Sequence, residues 1–197
     1  MAITPDKDPL ALFSRWFAEA EAHEGIKEPT ALTLATAGAD GMPDARIVLL
    51  KHVDERGFVV YTNLGSAKAA QLQANPQAAL CFYWMPLDKQ IRIRGAVEPV
   101  SAGEADAYFQ SRPKLSKIGA WASRQSEPLP SRFALEKRVA RFTARYALSE
   151  VPRPDFWSGF RVVPRAIEFW LKQDYRLHDR LLYTREDDGW SHRRLYP

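Results

Sequence analysis

Short apolar segments rich in β-branched and aromatic residues are the feature of this sequence that most restricts its fold. They outnumber the helical segments and mostly occur in consecutive pairs joined by short turns. Neighbouring strands with short connections pair antiparallel, because parallel strands need long crossovers. The sequence therefore predicts an α+β protein, with an antiparallel sheet or barrel and helices packed outside it. Strands are expected at residues 31–37, 47–50, 58–62, 78–84, 90–97, 160–163, 167–171, 181–185 and 190–195.

The stretch of residues 46–68 contains the clearest local pattern. An aliphatic run at 47–50, turn residues at 54–57 and a second apolar run at 58–62 predict a β-hairpin. Ser66 then suits the N-cap of a helix that carries Lys68 in its first turn. A lysine there opposes the helix dipole, whereas a phosphate would stabilise it. These residues alone fit a phosphate site and an ordinary hairpin with solvated charges equally well.

Helices are predicted at residues 9–23, 66–75, 101–111, 116–122 and 132–146, and one of them carries a second candidate site. Tyr108 and Arg112 are four residues apart, so they share a helix face, and Ser116 follows the bend at Pro113. One charge and two hydroxyls suit a phosphate monoester. Spacing alone favours the simpler interpretation, an exposed helix end with incidental polar residues.

The densest polar cluster is the segment 176–180. An extended segment would place Arg176, His178 and Arg180 on one side, where they repel each other unless an anion or an electron-rich ring lies there. The pattern favours such a site. The alternative is a structural ion network with the nearby acids, Asp174, Asp179 and Glu168.

Composition bounds the class of protein. The 197 residues are expected to form a single domain, 1–197. The net charge is +4 and the sequence pI is about 9.2, but the cations are interspersed with acids. This distribution favours a phosphorylated small molecule over nucleic acid as the partner.

Several functional classes lack their sequence signals. The single cysteine, Cys81, cannot form an intrachain disulfide, and the first ten residues do not resemble a signal peptide. No apolar segment has the length of a membrane span, so a cytoplasmic protein is expected. Four histidines and one cysteine, none at ligand spacing, make a metal site improbable. The phosphate-binding and hydrolase motifs rich in glycine are also missing.

A series of short motifs extends along the chain: RIVLLK (46–51), YTN (61–63) with Ser66 and Lys68, Gln90, YFQSRP (108–113), SKIGAW (116–121), QS (125–126), VPRP (151–154), IEFW (167–170) and RLHDR (176–180). Taken in this order, they resemble the pyridoxine (pyridoxamine) 5′-phosphate oxidase family over nearly the whole chain. The resemblance implies an antiparallel, FMN-binding split β-barrel with peripheral helices, which forms a homodimer with both active sites at the subunit interface.

The resemblance also implies the roles of individual residues. FMN would be bound by Arg46, Ile47, Val48, Leu49, Leu50, Lys51, Tyr61, Thr62, Lys68, Gln90, Gln125, Ser126, Trp170 and Arg180. The substrate would be bound by Lys51, Tyr108, Arg112, Ser116, Arg176, Leu177 and His178. Arg176 and His178 would be the catalytic residues, with Arg176 over the substrate ring.

The implied reaction moves a hydride from C4′ of pyridoxamine or pyridoxine 5′-phosphate to N5 of FMN. Oxygen would reoxidise the flavin, giving hydrogen peroxide and pyridoxal 5′-phosphate. Two alternatives are a related split-barrel oxidase of the phenazine type and a flavin- or pyridoxal-phosphate-binding carrier with little turnover. Departures from the family pattern bear on FMN affinity: Ala67 replaces a usual arginine, Leu171-Lys172 replaces Gln-Gly, and Lys117 replaces a glutamine.

Overall fold

The computed structural model describes residues 2–197, which form one curled antiparallel sheet with helices outside it. The strands are β1 Ala31–Ala37, β2 Pro43–Leu49, β3 His52–Asp54, β4 Gly57–Asn63, β5 Gln77–Trp84, β6 Lys89–Pro99, β7 Trp157–Leu171, β8 Asp179–Glu186 and β9 Gly189–Arg194. The helices are α1 Pro9–Ala22, α2 Ala67–Ala74, α3 Ala102–Ser111, α4 Lys114–Ala122 and α5 Arg132–Arg145. None of these described helices has the length and apolar composition needed to cross a bilayer.

The sheet is built around the long strand β7. Its strand order is β2-β1-β5-β6-β7-β4-β3, and β8 and β9 extend it from the far half of β7. β7 pairs with β6 along most of its length, with β4 through its first half and with β8 through its second half. The right-handed twist of so many strands curls the sheet into a half-barrel. The predicted α+β class and antiparallel barrel are confirmed.

Helix α1 packs its apolar face against the core of the curled sheet. Asp8 caps it by accepting a hydrogen bond from the Leu10 amide, and Pro9 takes the first helical position. Phe13 packs edge-on against Phe58 at 4.9 Å between ring centroids, which joins the helix to β4. Each such buried aromatic side chain contributes a few kcal/mol of hydrophobic stabilisation.

A second apolar cluster joins α3, α4 and α5 to the start of β7. Its buried residues are Phe109, Ile118, Ala122, Phe142, Tyr146, Val151 and Trp157. The cluster keeps three helices outside the barrel, beside β4. The space between these helices and the barrel becomes the cavity described below.

The hairpin predicted from 47–50 and 58–62 is wrong in its pairing. β2 pairs with β1, with Ala31 opposite Leu49, whereas β4 pairs across the turn with the three-residue strand β3. The turn itself was correctly placed. Gly57 has φ +137°, and a Cβ there would lie 2.2 Å from the Val162 carbonyl oxygen, so only glycine fits.

The two strands predicted at 160–163 and 167–171 form the single strand β7, which continues through Pro164. The register with β6 shifts by one residue at this point, with Gly95 opposite Pro164. A bulge tolerates proline within a strand. A Cβ on Gly95 would lie 1.9 Å from the Val163 carbonyl oxygen, so a glycine is needed where the backbones approach.

Candidate active site

A cavity of about 780 Å³ lies between β2, β4 and the helices α2, α3 and α4. It brings together residues from distant parts of the sequence. Those predicted to bind FMN that line it are Arg46, Ile47, Val48, Leu49, Lys51, Tyr61, Thr62, Lys68, Gln125 and Ser126. Those predicted to bind substrate that line it are Lys51, Tyr108, Arg112 and Ser116. The side chain of Leu50 is instead buried in the barrel core.

One end of the cavity is formed by the start of α2 and the loop that contains Gln125. The Lys68 ammonium donates hydrogen bonds to Gln125 Oε1 at 2.9 Å and to Thr62 Oγ1 at 3.2 Å. The Ala67 amide donates to Ser126 Oγ at 3.2 Å. Burial, and next the nearby Arg46, lower the pKa of Lys68. A cation that is partly desolvated beside another cation is stabilised by an anion, so this end of the cavity suits a phosphate.

Ser66 is the N-cap residue of α2, as predicted, but its hydroxyl does not cap the helix. It donates instead to the Asn63 carbonyl oxygen at 2.7 Å. The first amides of α2 are therefore not satisfied by their own N-cap side chain. Amides at a helix start are donors that suit an anion.

Arg46 lies on the cavity wall, with its guanidinium held by protein groups. It donates to Thr36 Oγ1 at 2.5 Å and to Gln71 Oε1 at 3.0 Å, and it pairs with Asp44. These partners fix the side chain between β1 and α2. Arg46 therefore contributes a positioned positive charge beside Lys68.

The other end of the cavity is aromatic. The Tyr61 ring stacks on Tyr108 at 4.2 Å and on Trp157 at 5.3 Å between centroids. Burial raises the pKa of both tyrosines, so their hydroxyls remain protonated donors at neutral pH. The Tyr61 hydroxyl donates to the Glu104 carbonyl oxygen at 3.3 Å.

Arg112 lies against this aromatic wall. Its guanidinium carbon is 4.9 Å from the Trp157 ring centroid, within cation–π distance. In residues 2–197, its Nη1 is the one buried side-chain nitrogen or oxygen without a hydrogen-bond partner. Burial lowers its pKa, but an arginine remains charged at neutral pH. A half-buried cation with a buried, unused donor is the arrangement expected of an anion site.

Sequence reasoning missed part of the cavity wall. Trp157 supports both Tyr61 and Arg112, yet it is one of six tryptophans and no local motif marks it. Its only signal was its position shortly after the VPRP motif. Other lining residues that were not predicted are Asp44, Ala45, Asn63, Ala67, Gly119, Ala120 and Ser123.

The remaining predicted residues form a second group, which we term the β7-end cluster. It consists of Gln90, Trp170, Arg176, Leu177, His178 and Arg180, none of which lines the cavity. Gln90, Trp170 and Arg180 lie opposite one another on β6, β7 and β8. The His178 ring is 4.7 Å from the Trp170 ring, and Arg180 pairs with Glu168 at 2.8 Å.

Residues 176–180 are not extended throughout, so the condition under which Arg176, His178 and Arg180 would share one side is not met. Asp174–Arg176 forms a 3-10 turn, and both Tyr175 and Arg176 have left-handed backbones, with φ of 54° and 62°. The strand begins only at Asp179, so the expected alternation does not apply. Arg180 makes the ion pair with Glu168 that the structural alternative predicted, whereas Asp179 pairs with Arg194.

The cavity and the β7-end cluster are separated along β7. Trp157 lines the cavity and Trp170 belongs to the cluster, thirteen residues further along the strand. That separation corresponds to roughly 40 Å of extended chain. Within this chain, none of the six residues of the β7-end cluster lines the cavity.

Solved structures define the class of protein. A PhzG protein from Burkholderia lata 383, crystallised with tetrahydrophenazine-1-carboxylic acid, is 34% identical, with a TM-score of 0.92 and coverage of 98% of this chain and 94% of that chain. A pyridoxamine 5′-phosphate oxidase-related, FMN-binding protein from Nostoc punctiforme has the same fold, with a TM-score of 0.75, 19% identity and coverage of 95% and 96%. The curled sheet has the fold of these proteins, so this chain is a split-barrel protein.

Sequence comparisons then give the family. Residues 18–146 match the family model of pyridoxamine 5′-phosphate oxidase, and residues 157–197 match the C-terminal dimerisation region of pyridoxine 5′-phosphate oxidase. Pyridoxine/pyridoxamine 5′-phosphate oxidases from Maricaulis maris and Rhizobium meliloti are 60% and 56% identical. Each alignment covers 98% of this chain, and 87% and 95% of the respective relative. The chain belongs to the pyridoxine/pyridoxamine 5′-phosphate oxidase family, whose members are FMN-dependent oxidoreductases.

Proposed function

We propose that this protein oxidises pyridoxamine 5′-phosphate, pyridoxine 5′-phosphate or both to pyridoxal 5′-phosphate, with oxygen reduced to hydrogen peroxide. The names of its relatives at 56–60% identity support this substrate class. The observation that carries the proposal is the buried, partnerless Nη1 of Arg112, a residue that lines the same cavity as Lys68 and Arg46. Two separate anion sites fit a cofactor and a substrate that each carry a phosphate.

The donors at the start of α2 fit FMN. Lys68, Ser126 and the neighbouring Arg46 would hold its phosphate, with Thr62 and Gln125 keeping Lys68 in place. The exposed edge of β2 at Ile47–Leu49, followed by Lys51, would lie along the flavin. A phosphate would offset the desolvation of Lys68, which is why these residues fit the group.

The donors at the aromatic end fit the substrate. Arg112 would bind the phosphate with the hydroxyls of Tyr108 and Ser116 and the ammonium of Lys51. Trp157 holds the guanidinium in place from the opposite side. Charged hydrogen bonds of this kind are stronger than neutral ones, and they tie the substrate down by its non-reacting end.

The β7-end cluster would complete the site from a second copy of the chain. It belongs to the region 157–197 that matches the family's dimerisation region, apart from Gln90, which lies opposite Trp170. In a dimer, the cluster of one chain would meet the cavity of the other. A ligand would then not have to span roughly 40 Å of β7 within one chain. In each site, Gln90, Trp170 and Arg180 of one chain would then contact the FMN held by its partner.

Arg176, Leu177 and His178 would meet the substrate ring. The left-handed turn at Arg176 places it just outside the sheet, and Leu177 is largely exposed. FMN, when bound, supplies the hydride acceptor and passes the electrons to oxygen. Arg176 would orient the substrate ring and favour negative charge on it, while His178 would hold or move a proton at the substrate.

The similarity to the PhzG protein supports a second candidate, an oxidase of a tricyclic, phenazine-type acid. Such a substrate has no phosphate for Arg112, Tyr108 and Ser116 to bind. The retention of all three residues in one wall favours the phosphorylated substrate.

Anaerobic flavin spectroscopy tests the proposal. Pyridoxamine 5′-phosphate should bleach the flavin absorption of the purified protein, and air should restore it with formation of hydrogen peroxide and pyridoxal 5′-phosphate. Bleaching only by tetrahydrophenazine-1-carboxylic acid would favour the second candidate. Flavin that neither compound reduces would refute both oxidases and favour a carrier.

A further inference from the structure

Arg161 is the largest fully buried side chain in residues 2–197, with 1% of its surface exposed. It lies on β7 opposite Val59 of β4, behind the aromatic end of the cavity. Its Nη1 is 2.5 Å from Asp54 Oδ1, and its Nη2 is 2.6 Å from Glu104 Oε1. Arg56 bridges the same two carboxylates from the solvent side, at 2.8 and 2.9 Å. The group is therefore a network of two arginines and two close carboxylates. Glu98 Oε1 lies further out, 3.8 Å from Arg161 Nε, and His52 Nε2 lies 3.5 Å from Asp54 Oδ2.

Burying Arg161 is a costly way to stabilise a fold. Removing a charge from water carries a large desolvation penalty, and apolar residues of similar size often give equal or greater stability. What an ion pair adds is a fixed geometry, because its hydrogen bonds are directional. The Arg161 network is therefore better explained by what it holds in place than by the stability it adds.

The network holds the first turn of α3. The Glu104 carboxylate pairs with Arg161, and it also closes the capping box by accepting from the amide and hydroxyl of Ser101 at 3.0 and 2.9 Å. Apart from this anchor, α3 buries only Ala105 and Phe109. A helix with so little apolar contact relies on its charged first turn for its position on the sheet.

The same face of α3 carries the phosphate-binding groups. Glu104, Tyr108 and Arg112 follow one another at four-residue intervals, so they lie along one side of the helix. The Tyr61 hydroxyl donates to the Glu104 carbonyl oxygen, and its ring stacks on Tyr108. A shift of the first turn would therefore move the wall that faces the substrate.

We propose that the Arg161–Glu104 ion pair is a positioning device that sets the affinity of the cavity for the substrate's phosphate. It acts through α3, by keeping Tyr108 and Arg112 in register with Trp157. Neither Arg161 nor Glu104 touches the ligand. The inference rests on the proposed function, since it assigns the phosphate of the substrate to Arg112.

The test measures binding of inorganic phosphate and of pyridoxal 5′-phosphate to the flavin-loaded protein by titration calorimetry. Glu104→Gln keeps a residue that can close the capping box and removes the ion pair. It should weaken binding of both ligands about tenfold, as expected for a misplaced charged hydrogen bond, while FMN content stays unchanged. Arg161→Met should behave alike, and Arg161→Lys should recover part of the affinity.

Two reference variants make the result specific. Arg112→Met defines the affinity that remains when the side chain proposed to bind the phosphate is lost. Arg15 lies on helix α1 and pairs with Asp6, and neither residue lines the cavity. Arg15→Met breaks this ion pair and should leave both affinities unchanged. Wild-type affinities in Glu104→Gln would overturn the proposal. It would also be overturned if this variant lost phosphate affinity, FMN content and unfolding midpoint in equal proportion. If the wild-type protein bound both ligands without turnover, that result would refute the oxidase function. The comparison of ligand affinities between the variants and the wild type would still test the positioning role.

Discussion

The guanidinium of Arg112 lies 4.9 Å from the ring centroid of Trp157, while its Nη1 is buried with no protein partner. The two residues come from the end of α3 and the start of β7, 45 positions apart (157 − 112). The aromatic face supports the cation, and both residues line the cavity. This pairing is the basis of the anion site that we propose at a helix end, which spacing alone does not distinguish from an ordinary surface.

Replacing Arg112 by Met should remove the main substrate-phosphate contact. A charged hydrogen bond in a partly buried site contributes about 1.5–3 kcal/mol. The KM for pyridoxamine 5′-phosphate should therefore rise roughly 10- to 100-fold, with FMN content unchanged, because the FMN phosphate site lies at the other end of the cavity. Steady-state oxygen uptake and the flavin spectrum measure the two quantities.

Arg141→Met is the matched control. Arg141 also lies over an aromatic ring, 5.6 Å from Phe142, but it is exposed on α5 and does not line the cavity. Its substitution should leave KM as it is in the wild type. Similar kinetics in the two variants would show that the Arg112 side chain does not bind the substrate.

The pH dependence of FMN binding should report Lys68. Its pKa lies below 10.5 because of burial and of the charge on Arg46, so it loses its proton at a lower pH than an exposed lysine. The FMN phosphate stays doubly charged above about pH 6. The dissociation constant of FMN should therefore rise as the pH rises through the lowered pKa of Lys68.

Two variants separate Lys68 from other groups. Lys68→Arg should bind FMN without the alkaline loss, because a guanidinium keeps its charge. Lys68→Met should bind weakly over the whole range. Fluorescence of released flavin gives the dissociation constants, and an alkaline loss that persists in Lys68→Arg would assign it to another residue.

Ala67→Arg should tighten FMN binding. Ala67 lines the cavity at the start of α2, where the family usually has an arginine, and it is exposed enough to accept a long side chain. A new charged hydrogen bond to the phosphate should lower the dissociation constant about tenfold or more. Gln73→Arg adds the same charge on an exposed position of α2 outside the cavity. Equal tightening by both variants would indicate a general effect of charge.

Acid should reduce the stability of the wild type more steeply than that of a variant without the Glu104 carboxylate. Hydrogen bonds from the Ser101 amide and hydroxyl, and then from Arg56 and Arg161, lower the pKa of Glu104 from 4.5 to about 2. Its contribution to stability is complete above the unfolded value of 4.5 and is lost as the pH falls towards 2. The free energy of unfolding should fall more steeply over this range in the wild type than in Glu104→Gln.

Urea unfolding at several pH values gives these free energies. Glu136→Gln removes a carboxylate that pairs only with the exposed Arg132, at 3.5 Å, and it should keep the steep slope of the wild type. Equal slopes in wild type and Glu104→Gln would contradict the role assigned to the Ser101 and arginine contacts.

Local patterns in the sequence predicted most elements of the fold. The strand at 31–37 and the capping box at Ser101 were correct because alternation and capping are decided within a few residues. The pairing of 47–50 was wrong because a turn signal at 54–57 says nothing about β1, which competes for the same strand. Pro164 divided one strand into two because the compensating Gly95 is distant in sequence.

The site was predictable where residues act together within one chain. Thirteen of the predicted residues line the cavity, but the support that Trp157 gives Arg112 depends on folding and has no local signal. The sequence did not reveal the left-handed turn at Tyr175 and Arg176, because the side-chain alternation of a strand was assumed for this short polar segment. The relation that we propose between the cavity and the β7-end cluster involves a second chain, so periodicity within one chain could not reveal it.

A mixed dimer tests the central claim most directly, that each active site combines the cavity of one chain with the β7-end cluster of its partner. Assayed at pyridoxamine 5′-phosphate concentrations well below the wild-type KM, chains with Arg112→Met and chains with Arg176→Met should form homodimers with little activity. Co-expressed with different tags and purified as the mixed dimer, they should leave one site with both groups intact. The account predicts about half of the wild-type activity, since one of two sites works. A mixed dimer as inactive as the two homodimers would contradict it.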